Sequence, residues 1–524
     1  MNRASVIVVG AGVGGLSAAA LLAAKGLDVQ VLERGPQPGG KLRAVELGGR
    51  RLDAGPTVLT MRWVFDELFA TVGASLADHL RLTPADVLAR HAWGPGPRLD
   101  LHADLPSTLD AIGRFSGPAE AQRYAVFCRR AARIYAALEQ PFLRDDRPSV
   151  PALLWRAARH GGWSGLRAMA GISPFARMWP ELCRHFQDPR LRQLFGRYAT
   201  YCGSSPYLAP ATLMLVAHVE REGVWLVDGG MQRVATALAG LAQSRGAHLR
   251  CDADVAEILA ERGRAVGVRL RSGERLMADA VLFNGDVAAL ASGALGEAAG
   301  RGLEAVARAW QRPIQRSLSA LTWSAVADTS GFPLLRHNVF FSADYAAEFD
   351  DVCRQGRLPS GPTVYVCAQD RGAVDAASSV EPRRAQGLLV LVNAPALADR
   401  RPLTALEIDA CEQQVFQRLG QAGLSLRPTV PMLRTTPDDF AQRFPGTGGA
   451  LYGTASHGWR ASFTRLGSKH PLPGLYLAGG STHPGPGVPM AALSGRLAAD
   501  RLLADLASTR SWHPMAMPGG TSMR

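Results

Sequence analysis

Residues Ser5 to Val9 read SVIVV, and residues Gly10 to Gly15 read GAGVGG. A short apolar, β-branched run is typical of a parallel strand that is buried on both faces. Gly10 then permits a tight turn, Gly12 lets the backbone approach a pyrophosphate, and Gly15 allows a helix to pack closely on the strand. This stretch predicts the first strand, turn and helix of a dinucleotide-binding fold.

The residues that follow complete this unit. Leu16 to Lys25 is rich in alanine and leucine, and it predicts a helix whose free N-terminal N–H groups face the phosphates. Asp28 to Leu32 (DVQVL) predicts the second strand, and Glu33 follows where a carboxylate can accept hydrogen bonds from ribose hydroxyls. Because strand, glycines, helix, strand and acid occur in order, the sequence predicts an α/β fold that binds a dinucleotide.

Two more glycine-rich segments favour FAD over NAD. A second glycine-rich turn lies directly behind Glu33, and the chain continues to Asp53-Ala-Gly55-Pro56-Thr57. Near the C-terminus, 474–480 (GLYLAGG) predicts a strand, and the loop after it leads into an Ala-rich helix over 491–506. We expect the N-terminus of that helix to meet the flavin end of the cofactor.

A middle block is expected to complete the cofactor site. Gly229-Gly230-Met231 predicts the start of a helix that runs to 241, and 251–258 predicts a strand with Val255 along the adenine. An ordinary β-meander is the alternative for this block. The residues predicted to bind the cofactor are Gly10, Gly12, Gly15, Glu33, Arg34, Gly40, Lys41, Gly55, Pro56, Thr57, Val255, Gly479, Gly480, Gly487, Val488 and Met490.

Together these blocks resemble the carotenoid (phytoene) desaturases, within the wider FAD-linked amine oxidase superfamily. The matching runs are GAGVGG (10–15), VLERG…GGKL (31–42), LDAGPTVLTM (52–61), ATYCGSSPYLAP (199–210), VDGGM (227–231) and GLYLAGGSTHPGPGVPMAALSGR (474–496). The resemblance implies a Rossmann-like FAD-binding domain with an inserted α+β substrate domain. It also implies FAD as cofactor, a lipophilic carotenoid as substrate, and an electron acceptor that is either oxygen or a quinone.

Within this family, ALYGTASHGWRASF (450–463) and GVPMAALSG (487–495) resemble the 1-hydroxycarotenoid 3,4-desaturases. The resemblance implies formation of a C3–C4 double bond in an acyclic 1-hydroxy or 1-methoxy carotenoid. Hydride loss from C4 would leave a cation delocalised along the polyene, so the C3 proton becomes very acidic and no finely tuned base is required. We therefore assign no catalytic residue.

Several site assignments stay open. His457 and Trp459 are expected to line the substrate tunnel, with burial for packing as the alternative. His483 is either a base near the flavin or a residue of a cofactor loop that packs or donates a hydrogen bond. Many flavoproteins of the superfamily carry an acidic residue where Gly480 stands, so a side-chain bond to the ribityl chain is not expected here.

The glycine segments divide the chain. We expect a discontinuous FAD-binding domain from 1–109, 221–299 and 451–508, and a substrate domain from 110–220 and 300–450. The tail, 509–524, is rich in Ser, Pro, Gly and Met and is expected to be disordered. Three alternative functions remain. The first is phytoene desaturation. The second is the activity of another flavoenzyme of this fold, such as an amine oxidase or a retinoid saturase-like reductase, and the third is flavin-free binding of prenyl lipid, as in the Rab-escort proteins.

Composition bears on the setting of the protein. The 524-residue chain has a net charge of +13, and only three of its 58 basic residues are lysines. This arginine excess fits either GC-rich coding or contact with anionic lipid, and no basic cluster predicts nucleic-acid binding.

The seven cysteines form no C-x-x-C pair, which predicts a cytoplasmic protein without a metal site. The acid-free stretch 147–180, with five arginines and three tryptophans, predicts peripheral attachment to a membrane. A lid packed on its own core, with the arginines facing water, is the alternative.

Overall fold

The fold is taken from a computed structural model that describes residues 3–149, 175–372 and 383–510, with a few further positions between 151 and 162. The strands of these residues are β1 Ser5–Val9, β2 Asp28–Leu32, β3 Ala44–Leu47, β4 Arg50–Asp53, β5 Leu82–Pro84, β6 Val87–Ala92, β7 Arg98–His102, β8 Trp225–Val227, β9 His248–Arg250, β10 Val255–Glu261, β11 Arg264–Leu270, β12 Arg275–Met277, β13 Ala280–Phe283, β14 Ser319–Ser330, β15 His337–Phe340, β16 Val364–Ala368, β17 Arg383–Ala394, β18 Ser425–Pro428, β19 Leu433–Thr435 and β20 Leu475–Leu477. The α-helices are Val13–Ala24, Arg62–Thr71, Leu105–Ser116, Pro118–Leu138, Met178–His185, Pro189–Gly196, Val216–Arg221, Gln232–Ser244, Val287–Ala291, Glu297–Gly300, Glu304–Trp310, Tyr345–Asp350, Ala405–Gln421, Pro437–Arg443, Ala461–Thr464 and Val488–Arg510.

A five-stranded parallel sheet forms the centre of the cofactor-binding part. Its strand order is β20-β13-β1-β2-β9, so strands from the N-terminus, the middle and the C-terminus lie side by side. Every neighbouring pair is parallel. The residues of β13 and β20 are all buried, which explains their unbroken apolar sequences. The predicted α/β class with a Rossmann-like parallel sheet is confirmed.

The helix Val13–Ala24 joins the two chain ends. It begins three residues before the predicted helix, and it is buried along almost its whole length. An Ala-rich helix that is apolar on every side is expected only where other elements surround it. It packs against the helices Gln232–Ser244 and Val488–Arg510. A Cβ atom on Gly495 would lie 2.1 Å from the carbonyl oxygen of Gly14, so the glycine in the last helix is what permits this contact.

A larger, eight-stranded sheet supports the substrate side. Its order is β18-β14-β17-β16-β15-β6-β7, with β19 also paired to β14. Strand β6 joins it through a parallel pairing with β15, and β6 and β7 are linked by an ion pair between Arg90 and Asp100. These two strands lie before residue 110, where we placed the start of the substrate domain. The sheet therefore begins earlier in the chain than the glycine segments indicate, because its edge is completed by a hairpin with no motif of its own.

Smaller elements complete the two sides. Strands β10, β11 and β12 form an antiparallel sheet, with Val255 opposite Leu270 at its end. On the substrate side, helices over 105–138 and 178–196 enclose an aromatic core that includes Phe127, Phe186 and Phe195. The main cavity of the molecule lies between these helices, the large sheet and the cofactor-binding part.

Several predictions concern parts of the chain that are described only partly. Most of the Arg/Trp stretch 147–180 lies outside the described residues, as do residues 511–524 of the predicted tail. The prediction of a disordered tail from residue 509 was wrong for its first two residues, which end the helix Val488–Arg510. Among the described residues, no helix combines the length and the apolarity that crossing a bilayer requires. In the same part of the chain, His, Cys, Asp and Glu side chains form no group of three or more that could hold a metal ion. The seven cysteines are free thiols.

Candidate active site

One continuous cavity of about 790 Å³ runs between the two parts of the molecule. It collects residues from the N-terminal and C-terminal glycine-rich segments that the sequence assigned to the cofactor, but Gly229, Gly230 and Met231 of the middle block do not line it. The predicted residues that line it are Gly10, Gly12, Glu33, Arg34, Gly40, Lys41, Gly55, Pro56, Thr57, Val255, Trp459, Gly479, Gly480, Gly487, Val488 and Met490. Gly15, His457 and His483 are predicted site residues that do not line it.

The turn after β1 is shaped by the absence of side chains. Gly10 has φ +97°, which favours glycine, and a Cβ on Gly15 would lie 2.3 Å from the Gly10 carbonyl oxygen. Gly12 immediately precedes the helix Val13–Ala24 and supplies no side chain that would satisfy the first N–H groups of the helix. These N–H groups at the cavity wall fit a pyrophosphate, which needs hydrogen-bond donors and the positive end of a helix dipole.

Glu33 is held at the end of β2 by the same turn. Its Oε2 accepts a hydrogen bond from the Ala11 N–H at 2.7 Å, and its Oε1 accepts one from the Gly35 N–H at 2.8 Å. Each carboxylate oxygen can accept a further hydrogen bond. The fixed carboxylate at the cavity wall thus fits the predicted contact with ribose hydroxyls.

The second glycine segment packs directly on Lys41. A Cβ on Gly55 would lie 1.9 Å from the Lys41 carbonyl oxygen, so only glycine permits this contact. The Lys41 ammonium donates a hydrogen bond to the Leu451 carbonyl oxygen. Burial lowers the pKa of Lys41, and the negative charge of Asp286 partly opposes this shift. Arg34, in contrast, is exposed and donates to backbone carbonyls of Gln442 and Arg443.

Sequence reasoning missed Asp53, which ties this segment to the middle block. Its carboxylate accepts hydrogen bonds from the Met231 N–H at 2.7 Å and the Gln232 N–H at 3.2 Å, at the start of the helix Gln232–Ser244. Burial raises the pKa of the Asp53 carboxyl, and the two backbone N–H groups oppose that shift. Asp53 lies inside the run LDAGPTVLTM (52–61). An acidic residue between an apolar residue and a glycine-containing turn is the sequence feature that could have indicated it.

Arg465 and Asn284 were also missed, and they organise the C-terminal loop. Arg465 is buried and donates to the carbonyl oxygens of Thr454 at 2.7 Å and Gly480 at 3.3 Å. The Asn284 amide donates to the Gly10 carbonyl at 3.1 Å, and a Cβ on Gly479 would lie 3.0 Å from its Oδ1. Asn284 follows β13, where a polar residue after an apolar strand could have been noticed. No sequence pattern marks Arg465.

The two histidines predicted to lie at the site, His457 and His483, do not line the cavity and bind backbone groups instead. The His457 Nε2 accepts from the Ser205 N–H at 3.1 Å, and its Nδ1 lies 2.9 Å from the Ile314 carbonyl oxygen. The His483 Nε2 lies 2.8 Å from the Phe142 carbonyl oxygen. Burial lowers the pKa of each imidazole to about 4, so both rings are neutral near pH 7. In this arrangement both side chains connect loops.

Besides the cofactor segments, the cavity is lined by a set of apolar residues, which we call its apolar arm. They come from the helices Pro118–Leu138 and Val216–Arg221, from the turn Glu139–Leu143 and from β17, and include Leu138, Phe142, Val216, Val219, Leu389 and Leu391. Trp459 also lines this arm, and Phe175 packs edge-on against it with ring centroids 4.9 Å apart. An apolar arm of this kind suits a long hydrocarbon better than a charged amine.

The fold and the cofactor segments define a flavin-dependent oxidoreductase. The description "Flavin containing amine oxidoreductase" matches residues 13–503, and the chain belongs to that family. FAD is its cofactor, as predicted. The chain is 55% identical over 522 residues to the hydroxyneurosporene desaturase of Rubrivivax gelatinosus, covering 99% of this chain and 97% of that protein.

Other relatives agree with this placement. The hydroxyneurosporene desaturase of Cereibacter sphaeroides is 44% identical over 96% of this chain and 98% of its own length. The 4,4'-diapolycopene oxygenase of a Methylomonas species is 32% identical over 96% of this chain and 98% of that protein. The predicted resemblance to carotenoid desaturases is confirmed.

Solved structures share the fold at low sequence identity. Putrescine oxidase bound to putrescine matches with a TM-score of 0.59 at 16% identity, covering 97% of this chain and 99% of that one. An oxidoreductase from Methanosarcina mazei matches with a TM-score of 0.58 at 15% identity, covering 95% of this chain and 100% of that one. These matches support the fold class.

Proposed function

We propose that the chain is an FAD-dependent carotenoid desaturase that forms the C3–C4 double bond of acyclic 1-hydroxy or 1-methoxy carotenoids. The observation that carries the proposal is the single cavity, which joins the cofactor segments to an apolar arm. The names of the relatives agree with this substrate class. The electron acceptor in this proposal is oxygen or a quinone.

The flavin supplies the acceptor for a hydride taken from an unactivated carbon, and that chemistry belongs to the cofactor. The protein has to hold C4 beside the cofactor and exclude water. The Gly55-Pro56-Thr57 turn and the apolar arm line the same cavity, so a polyene in the arm has access to this turn. Loss of the C4 hydride would leave a cation spread along the polyene, and water or a weak base would then remove the C3 proton.

Direct comparison of two substrates tests the proposal. We expect one flavin-loaded preparation to convert a 1-hydroxylated acyclic carotenoid and to leave phytoene unchanged under identical conditions. The expected product has one additional conjugated double bond, which shifts the absorption spectrum to longer wavelength. Pigment analysis by chromatography and absorbance measures both reactions.

The alternative functions give different results in the same experiment. If phytoene is converted and the hydroxylated carotenoid is not, the proposed substrate is wrong, but the assignment as a carotenoid desaturase stands. Conversion of neither, with flavin bound and membranes supplied, would contradict the carotenoid desaturase itself.

The proposal includes peripheral contact with a membrane, because a carotenoid is dissolved in the bilayer. Two exposed aromatic side chains lie in the Arg/Trp stretch: Trp155 is 58% exposed and Phe175 is 66% exposed. The guanidinium of Arg159 lies over the Trp155 ring at 5.0 Å, and Phe175 packs on Trp459 of the cavity wall. Aromatic and basic groups together suit the headgroup region of an anionic leaflet.

Vesicle co-sedimentation tests this contact. We expect binding to rise with the fraction of anionic lipid and to fall with salt, because surface charge attraction is screened within about 8 Å at physiological ionic strength. Trp155→Ser combined with Phe175→Ser should weaken binding several-fold. Leu406→Ser is the matched control, because Leu406 is 81% exposed at the start of the helix Ala405–Gln421. Equal binding to neutral and anionic vesicles would contradict the electrostatic part, and no binding would contradict the contact.

A further inference from the structure

A group of polar side chains interrupts the apolar arm of the cavity. Arg197 and Tyr201 come from the 3-10 turn Arg197–Cys202, Tyr345 from the helix Tyr345–Asp350, and Tyr365 from β16. Polar groups in an apolar site cost free energy unless they are hydrogen-bonded, so each of them needs a partner.

Some of these groups are satisfied within the protein. The Tyr365 hydroxyl lies 2.7 Å from both the Thr57 hydroxyl and the His337 Nδ1. Glu220, which also lines the cavity, accepts hydrogen bonds from the Tyr198 hydroxyl at 2.5 Å and the Tyr201 hydroxyl at 3.3 Å. These hydroxyls and the carboxyl are therefore used in building the wall.

Tyr345 is different. Its side chain is 7% exposed and lines the cavity, yet its hydroxyl has no hydrogen-bond partner among the described residues. The ring is held by Phe349, with centroids 5.0 Å apart, and by neighbouring Trp179. Because the ring is fixed by packing, the hydroxyl is kept in place with its hydrogen-bonding capacity unused.

Arg197 lies in the same group with spare donors. Its guanidinium donates to the Tyr201 hydroxyl at 3.1 Å and lies 5.3 Å from the ring centroids of Tyr201 and Tyr365. No carboxylate of the described residues lies within 4.0 Å of it. A guanidinium has five N–H donors, so Arg197 can still donate to a ligand. Arg197 and Tyr345 also affect each other's pKa through charge, and both side chains line the same cavity.

The position of the group suggests what it binds. Thr57, bonded to Tyr365, belongs to the Gly55-Pro56-Thr57 turn that is predicted to bind the cofactor, and we place the flavin beside this turn. In the proposed reaction C4 must lie against the flavin, and the oxygen on C1 is only a few bonds away. A polar group beside the flavin is therefore where the single oxygen of an otherwise apolar substrate would lie.

We propose that Tyr345 and Arg197 donate hydrogen bonds to the C1 oxygen of the carotenoid and so determine which end group is desaturated. This inference rests on the proposed function. Both side chains act as donors, so a hydroxyl and a methoxy oxygen are both accepted. A carotenoid end without oxygen leaves both donors unpaired in a dry cavity, and sites of this kind reject such analogues strongly.

The test compares a 1-hydroxylated acyclic carotenoid with the same carotenoid lacking the oxygen. We expect wild-type kcat/KM to favour the oxygenated substrate by about 10- to 100-fold, since one of the two donors is charged. Tyr345→Phe should lower kcat/KM for the oxygenated substrate by about three- to tenfold, and it should not lower kcat/KM for the analogue, because the variant removes one of the two donors that the analogue leaves unpaired. The variant loses no hydrogen bond to the described residues, so flavin content should stay at the wild-type level.

Tyr207→Phe is the matched control, because its ring lies 6.4 Å from that of Tyr345 but it does not line the cavity. We expect this variant to keep the wild-type preference. Equal use of both substrates by the wild type, or an equal loss on both in Tyr345→Phe, would overturn the inference while the desaturase proposal stands. Failure of the wild type to convert the oxygenated carotenoid would instead contradict the proposed function.

Discussion

Gly12→Val is expected to yield a protein that purifies without its yellow flavin. A Cβ on Gly12 would lie 2.8 Å from the Asn284 Nδ2, and the two methyl groups of valine would crowd the turn that is assigned to the pyrophosphate. Overpacking of this kind costs about 1–3 kcal/mol, and lost phosphate contacts add to it. Because about 1.4 kcal/mol is a factor of ten, we expect FAD affinity to fall by about 100-fold or more. Absorbance near the flavin maximum relative to protein absorbance measures occupancy.

Gly240→Val provides the control for this variant. Gly240 lies in the helix Gln232–Ser244 and is exposed, and a Cβ added to it would have no heavy atom within 4 Å. The same chemical change there should leave flavin occupancy at the wild-type level. Normal flavin content in Gly12→Val would contradict the assignment of this turn to the pyrophosphate.

Gly55→Ala is expected to cause the second large loss. Its added methyl group would lie 1.9 Å from the Lys41 carbonyl oxygen, a backbone atom that cannot move aside by changing rotamer. The segments that carry Lys41 and Thr57 would have to separate. We expect a loss of about 3 kcal/mol in the free energy of unfolding, together with reduced FAD occupancy. Denaturant unfolding with and without added FAD measures both effects.

Gly420→Ala is a control of opposite sign. Gly420 lies in the helix Ala405–Gln421 with no heavy atom within 4 Å of an added Cβ, and alanine favours a helix by up to about 1 kcal/mol over glycine. We expect this variant to be as stable as the wild type or slightly more so. Wild-type stability of Gly55→Ala would show that the two cofactor segments do not pack as described.

The sequence alone predicted the cofactor-binding part because its signals are local. The turn at Gly10 and the close packing at Gly15 are backbone requirements that only glycine meets, so a short sequence motif is enough to predict them. The alternating order of strands, glycines and helices then predicted the parallel sheet. The family resemblance extended this to the cofactor and the substrate class.

Only the tertiary structure decided which side chains face the cavity. Thr57 and Tyr365 are 308 residues apart, and Asp53 reaches the N–H of Met231 across 178 residues. His483 lies inside a conspicuous motif yet bonds the Phe142 carbonyl, whereas Tyr345 lies in no motif, lines the cavity and carries a hydroxyl that no described residue pairs. The reason is physical: a motif specifies local backbone geometry, whereas burial and hydrogen-bond satisfaction depend on which distant segments pack together.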